Sequence, residues 1–402
     1  MILDIVGGRL QGLEACYLAR KSGWEVRLVD MDPSPPALGL CDSFVNCDVT
    51  REDLLDSELK GAQMVLPALE DEGALRSLRQ WCDKNAVPLL FDPDAYSISS
   101  SKIASNSLFE KLALPIPVNW PGCDLPVIVK PDKSSGSRGV EVYRDPCELE
   151  DRLQEYRSRD ALVTQEYIHG RYFSLEIVGF PGRYRPLQIV ELEMDERFDC
   201  KRVQAPAELA DHLSRFFKGC SIRTADALQL RGLMDVEVVQ QGEGLKILEI
   251  DARFPSQTPI AVYWSTGINM VRLLAELFSD PGKSGRPPVL ERQIERNGTS
   301  QQYVLLEHVE VSGGGLVVGG EHLMGNRGPL HVQPDFYGAN EAITDFVSGK
   351  SEWAATIIIR DTSKEDAWLR RNHTMRQIMK DHELSLYADP EPGDDQVTFD
   401  GS

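Results

Sequence analysis

Short apolar runs alternate with longer amphipathic stretches over the first 92 residues. Ile2–Val6, Glu25–Asp30, Val65–Pro67 and Pro88–Phe91 read as strands, with Leu13–Lys21 and Glu72–Asn85 as helices among them. Strands separated by helices predict a parallel, doubly wound sheet. From 93 the texture changes to Asp-Pro, serines at 97, 99, 100 and 101, and prolines at 115, 117 and 121. That stretch predicts a crossing between domains carrying one helix, Lys102–Leu112. Beyond Pro126 the pattern is one of hairpins: Val127–Lys130 with Val140–Tyr143, Ala161–Tyr167 with Tyr172–Val178 around His169-Gly170, and Leu233–Val239 with Leu245–Asp251. Helical stretches at Glu148–Arg157, Ala207–Cys220 and Asn269–Phe278 make this part α+β. Strands near 303–319 and 354–360 and a charged amphipathic helix at about 363–382 follow. The expected division is an α/β unit at 1–95, a central unit at 96–180, a C-terminal unit at 181–385 and a disordered acidic tail at 386–402.

The charge sum of −20 over 402 residues disfavours a phosphate backbone as partner, so no nucleic acid is expected. No apolar run approaches the roughly 20 residues needed to cross a bilayer, so no membrane is expected either. The chain passes from Met1 straight into a β-like run, leaving no room for a signal peptide. Eight cysteines form no CxxC pair, which reads as reduced thiols in a cytoplasmic protein.

The chemistry concentrates in 232–253. Strand residues two apart share a face, so Asp235 and Glu237 point opposite to Met234, Val236 and Val238. Glu249 and Asp251 likewise oppose Leu248 and Ile250. With a three-residue loop at Gly242-Glu243-Gly244, opposed positions put Glu237 across from Glu249 and Asp235 across from Asp251. Four carboxylates then lie on one face over an apolar layer, an arrangement that destabilises a sheet unless positive charge offsets it. A hard cation with oxygen ligands does so, Mg²⁺ being the default where phosphate is also bound; Arg253 shares Asp251's parity. The plainer alternative is a solvated acidic hairpin.

Lys130 ends a strand before Asp132–Gly139, a Ser/Gly loop whose N–H and hydroxyl groups suit phosphate oxygens. The loop lacks the Walker spacing, and a plain hairpin turn explains it as well. Lys102 alone reads as a surface lysine. The connector Gln165–Gly170 suits a flat base, or is an ordinary turn.

Phosphate-loop lysine, connector, then two acidic strand positions about a dozen residues apart is the order of the ATP-grasp superfamily of carboxylate–amine ligases, which the chain resembles. Gly7-Gly8-Arg-Leu-Gln-Gly12, Ser174–Gly179, Asp195–Cys200, Gly232–Glu237 and above all Leu248-Glu-Ile-Asp-Ala-Arg-Phe-Pro-Ser-Gln-Thr-Pro259 resemble the ligase family of pyrrolysine biosynthesis, over about residues 2–275. The resemblance implies an ATP-grasp fold behind a Rossmann-like N-terminal domain. It implies ATP- and Mg²⁺-dependent joining of 3-methyl-D-ornithine, through an acyl phosphate, to the ε-amine of L-lysine, in the cytoplasm. Two ions are implied, with Mn²⁺ an acceptable substitute, and a homodimer is compatible. By position, Lys102, Lys130, Ser135 and Ser137 fall on the phosphates, and Glu166, Tyr167 and Ile168 on adenine. Glu237, Glu249 and Asp251 fall on the metal. Ser174, Glu176, Asp235, Arg253 and Ser256 fall on the ornithine-type substrate (D-ornithine or its 3-methyl form), and Leu10, Gln11 and Glu70 on the lysine side. Arg253 and Lys130 are the expected catalytic groups. Asp251 stands where the wider superfamily has asparagine.

Three alternatives remain: another ATP-grasp amino-acid ligase, a non-catalytic nucleotide- or metal-binding protein, and an NAD-dependent oxidoreductase. The last rests on Gly7-Gly8…Gly12 with Asp30 downstream, but the spacing is not GxGxxG and the four acids go unexplained.

Overall fold

A computed structural model describes residues 1–156, 161–279 and 302–392. Strands β1 (Ile2–Val6), β2 (Glu25–Asp30), β3 (Ser43–Asn46) and β4 (Val65–Pro67) form a parallel sheet in the order β3-β2-β1-β4. Helix α1 (Leu10–Lys21) connects β1 to β2, α2 (Glu52–Glu58) connects β3 to β4, and α3 (Glu72–Asn85) follows β4. The expected strand at Pro88–Phe91 reduces to one bridge, Leu89 to Val65, because the chain turns at once into a helix capped by Asp92. The Gly7–Gly12 turn is closed on itself. A Cβ on Gly12 would lie 1.9 Å from the Gly7 carbonyl, and Asp30 accepts hydrogen bonds from Gly8 N (2.6 Å) and Asp32 N (2.7 Å). These are the features on which the oxidoreductase alternative rested, and they serve chain packing.

The crossing holds two helices where one was expected, α4 (Pro93–Ser99) and α5 (Lys102–Lys111). The serine run divides them, Ser101 accepting from Ala104 N as the α5 cap. Strands β5 (Val127–Pro131), β6 (Glu141–Tyr143) and β7 (Leu162–Glu166) make an antiparallel sheet in the order β6-β5-β7, with α6 (Pro146–Tyr156) between β6 and β7. The expected hairpin around His169-Gly170 is not one. β7 pairs with β5, while β8 (Tyr172–Phe180) belongs to another sheet. Gly170 carries the chain across where a Cβ would lie 2.1 Å from the Gln240 carbonyl.

That second sheet has eleven strands. β9 (Arg183–Met194), β10 (Cys200–Ala205), β11 (Gly232–Gln241), β12 (Gly244–Asp251), β13 (Tyr303–Ser312), β14 (Gly315–Gly319), β15 (His331–Pro334), β16 (Glu341–Thr344) and β17 (Trp353–Asp361) run in the order β12-β11-β8-β9-β10-β13-β17-β16-β15, with β14 beside β13. Helix α7 (Asp211–Leu228, not 207–220 as expected) packs Phe217 and Leu213 on Phe173, Leu175, Met234 and Val236. Helices α8 (Thr258–Thr266) and α9 (Met270–Ser279) pack with α1 on the other side, joining the two large sheets in one core.

The tail expected to be disordered from 386 is ordered as far as it is described. β18 (Leu386–Ala388) runs parallel to β14. Asp389 then reaches Lys201 (2.8 Å), Arg202 (2.7 Å) and Arg371 (3.3 Å). With Glu193 and Glu307 it balances three buried cations, and an unpaired buried charge is costly enough to pin the chain there. Residues 393–402 lie outside the described residues. Among the described residues no helix is long and apolar enough to cross a membrane.

Candidate active site

The hairpin β11–β12 turns in two residues, not three: Gln241 pairs with Gly244, and Val238 with Ile247. Continued straight, that register would oppose Glu237 to Leu248 and turn Glu249 into the apolar layer. A β-bulge at Leu248 absorbs one residue, after which Glu237 pairs with Glu249 and Asp235 with Asp251. The acid pairing expected from the sequence is therefore present, produced by a different turn. Leu248 is the correction: it faces the cleft instead of the core beneath, while Leu245, Ile247 and Ile250 fill that core.

β8 extends the pattern. Ser174 pairs with Glu237, and Glu176 with Asp235. Two rows thus cross three strands: Ser174–Glu237–Glu249 and Glu176–Asp235–Asp251. Strand parity places the three acids expected to hold metal and three of the expected ornithine-side residues on one face.

Cations face these rows from other elements. Lys102, at the start of α5, lies 3.4 Å from Glu249 and donates to the Ser134 carbonyl (2.6 Å). Lys130 is only 9% exposed; burial lowers its pKa, with Glu249 and Glu237 opposing that effect and Lys102 adding to it. Arg253 pairs with Asp251 (2.8 Å) and Glu70 (2.9 Å). Burial and then Glu249 and Asp235 push Glu237 well above the usual carboxylate range. Burial also lifts Asp251 well up, Asp235 and Glu70 adding to it against the pull of Arg253. Asp235 rises to about 7, chiefly by burial. At Glu249 the neighbouring Lys102 and Lys130 outweigh burial and hold its carboxyl below the usual range. Crowded carboxylates of this kind are what a hard divalent cation relieves. Asp251 Oδ1 and Asp235 Oδ1 are buried without a hydrogen-bond partner, so the oxygen-only donor set fits Mg²⁺.

A cleft opens between the three-stranded and eleven-stranded sheets. Its lining includes Lys102, Lys130, Ser134–Ser137, Glu237 and Glu249 together with Glu166, Tyr167, Ile168, Met194, Phe198 and Leu248. The loop serines are engaged with protein groups: Ser135 donates to Glu70, and Ser137 donates to the Phe198 carbonyl (2.6 Å). The Glu166 carboxylate accepts from Val118 N (2.8 Å) and pairs with Lys246, so it is tied into the wall. Gln11 Nε2 donates to Glu70 (2.9 Å). Leu10 packs on the core, and Ser256 lies beside Glu321.

Sequence reasoning missed Glu321, raised to about 7 by burial and then by Asp199. It also missed Phe198 and Leu248, which line the cleft. Glu321 follows Gly319-Gly320 in a region where no spacing marks it. Phe198 sits on a turn fixed by Asp195, whose carboxylate accepts from Arg197 N, Asp199 N and Gly320 N. Asp195, Asp199 and His322 bring one ligand atom each within 4.8 Å of one another. Asp199 accepts from His322 N and meets its Nδ1 at 2.7 Å, so this grouping fastens loops together.

Glu176 is fully buried with no well-formed hydrogen bond on either oxygen, and burial raises it to about 7 against a weaker opposing contact with Thr258. A raised carboxyl stabilises the fold fully below its unfolded value of 4.5, and this contribution is lost as pH rises through about 7. Glu176→Gln is therefore expected to raise ligand-free stability at pH 8 by up to about 3 kcal/mol. The gain should vanish toward pH 4.5, as urea midpoints at the two pH values will report.

Residues 99–257 match the model of an ATP-grasp domain. The chain is 38% identical over 278 residues to 3-methyl-D-ornithine–L-lysine ligase of Methanosarcina barkeri, covering 69% of this chain and 73% of that protein. It is 31% identical over 375 residues to the ligase of the same name from Methanosarcina mazei, covering 92% and 93%. Among solved structures, L-amino acid ligase from Bacillus licheniformis superposes with a TM-score of 0.66 at 15% identity, over 94% of this chain and 98% of that one. An ADP complex of N5-carboxyaminoimidazole ribonucleotide synthetase gives 0.68 at 14%, over 96% and 98%; these two likenesses establish the fold. Identity to the Methanosarcina enzymes across nearly the whole length, together with the acid rows and the lysine-lined cleft, shows that the chain belongs to the 3-methyl-D-ornithine–L-lysine ligase family of ATP-grasp enzymes.

Proposed function

We propose that the chain is an ATP- and Mg²⁺-dependent ligase that joins the carboxylate of 3-methyl-D-ornithine to the ε-amine of L-lysine in pyrrolysine biosynthesis. The observation that carries this reading is the cross-strand pair Glu237–Glu249, set beside Lys102 and Lys130 in a cleft that the Ser134–Ser137 loop also lines.

The substrate carboxylate attacks the γ-phosphorus of ATP, and ADP leaves; the lysine amine then adds to the acyl phosphate carbonyl, and phosphate leaves. Glu237, Glu249 and Asp251 would hold Mg²⁺, which when bound neutralises polyphosphate charge. Their oxygens suffice for two ions, and Mn²⁺ accepts the same donors. Lys102 and Lys130 place fixed positive charge on the phosphates. The Ser134–Ser137 segment excludes water from the acyl phosphate. The backbone N–H groups of Glu166 and Tyr167 are committed to the Val118 and Pro126 carbonyls, so Ile168 is the connector position proposed to meet the adenine edge. Arg253 orients the reacting carboxylate and stabilises the tetrahedral oxyanion. Glu176 and Asp235 take the ammonium groups of the diamino acid, helped by Ser174 and Ser256. Leu10, Gln11 and Glu70 form the lysine side, where the ε-ammonium must lose a proton before it attacks.

Mass spectrometry of reactions containing ATP, L-lysine and D-ornithine or its 3-methyl form should show an isopeptide-linked dimer and stoichiometric ADP. ADP release without a new amide, or the same product from any amino-acid pair, would contradict the reading.

A further inference from the structure

We infer that Glu70 is an exchangeable counter-ion of Arg253: the incoming substrate carboxylate displaces it, and Glu70 then serves the ammonium of the second substrate, coupling the two sites. The inference rests on the proposed function and adds an order of events to it.

The Arg253 guanidinium already lies between two carboxylates, although its Nε is a buried donor with no hydrogen bond of its own. Its Nη2 meets Asp251 at 2.8 Å, its Nε lies 2.9 Å from Glu70 Oε1, and its Nη1 points to the Phe254 carbonyl at 3.4 Å. A substrate carboxylate seated on this fork meets two carboxylates already present, with Asp235 a third negative neighbour. A fourth anion around one cation is unfavourable unless one departs. Asp251 is the poorer candidate to leave, because its short side chain is fixed on β12 opposite Asp235 and it belongs to the metal set. Glu70 comes from the loop between β4 and α3, in the other domain, on a longer side chain.

Glu70 also has somewhere to go. Gln11 Nε2 donates to it at 2.9 Å, and so does the Ser135 hydroxyl. Released from Arg253, it keeps both donors and has one charge to offer an ammonium. Ser135 belongs to the loop over the phosphates, so the same exchange reports carboxylate binding to that loop. Displacement of Glu70 lowers carboxylate affinity in the absence of lysine and raises lysine affinity in the presence of the carboxylate. Such coupling is reciprocal by thermodynamic necessity.

The test is calorimetric titration of the full chain, loaded with MgADP, with D-ornithine and with L-lysine. In the wild type each amino acid should tighten the other by the same factor, about five-fold or more. Glu70→Gln keeps a hydrogen-bonding amide beside Gln11 and Ser135 but removes the competing charge. It should bind D-ornithine about five-fold tighter, bind lysine more weakly, and show a coupling factor near one. A purely structural role for Glu70 would weaken both ligands. Equal or weaker D-ornithine binding by the variant, or independent binding of the two amino acids to the wild type, overturns the inference. Should Glu70→Gln fail to fold, Gln11→Ala decides the matter: loss of the alternative donor should hold Glu70 on Arg253 and weaken D-ornithine, and unchanged affinity overturns the inference. Failure of the wild type to bind D-ornithine at all would instead strike the ligase reading itself.

Discussion

Glu249→Gln should lower the rate of ADP formation by about a thousand-fold, the loss of about 4 kcal/mol of transition-state stabilisation. Among the acids proposed to hold Mg²⁺ this one has its pKa lowered, Lys102 and Lys130 together outweighing burial, whereas burial raises those of Glu237 and Asp251. An amide in its place offers one weaker oxygen and leaves Lys102 without its partner at 3.4 Å. The affinity for Mg²⁺ should fall with the rate, and added metal should restore only part of it. A coupled ADP assay titrated with MgCl₂ measures both, and the melting temperature checks the fold. A loss below ten-fold would mean that Glu249 holds no metal in the reaction.

Arg253→Ala should be the second large effect, lowering kcat/KM for the carboxylate substrate by about a hundred- to thousand-fold. It has a structural component as well. Asp251, Glu70 and Asp235 would face one another with their shared cation gone, and breaking a buried pair costs about 3–5 kcal/mol. Arg253→Lys separates the two: it keeps a positive charge, and so most of the stability, but loses the planar fork that meets a carboxylate with two donors. Kinetics of both variants with saturating ATP, set beside urea midpoints, divide catalysis from folding. Unchanged ADP formation by Arg253→Ala with both substrates present would remove the arginine from the mechanism.

The site is legible in the sequence wherever side-chain parity alone decides geometry. Spacing places Asp235, Glu237, Glu249 and Asp251 on one face, and Ser174 and Glu176 join them once β8 is known to lie beside β11. Where the backbone departs from regular pairing, spacing fails: it makes the turn one residue too long and puts Leu248 on the wrong side. The strands β9 and β10 escape the pattern altogether. Cys200–Ala205 carries Lys201 and Arg202, which look like solvent positions, yet each is 2% exposed because Glu193 on the adjacent strand, and Glu307 and Asp389 from distant parts of the chain, meet them. Glu70 reaches Arg253 and Ser135, and Glu321 reaches Ser256, from loops where no local pattern marks the destination of a side chain.

Leu248 owes its orientation to an interruption of the ladder and not to the alternation that orders its neighbours. Its side chain is thereby exempt from the packing constraints of the layer under the sheet, although it sits one residue from Glu249. The lining of the cleft at that point is free to vary in size and shape among related proteins while the fold keeps its stability, so nucleotide preference and folding can drift apart there.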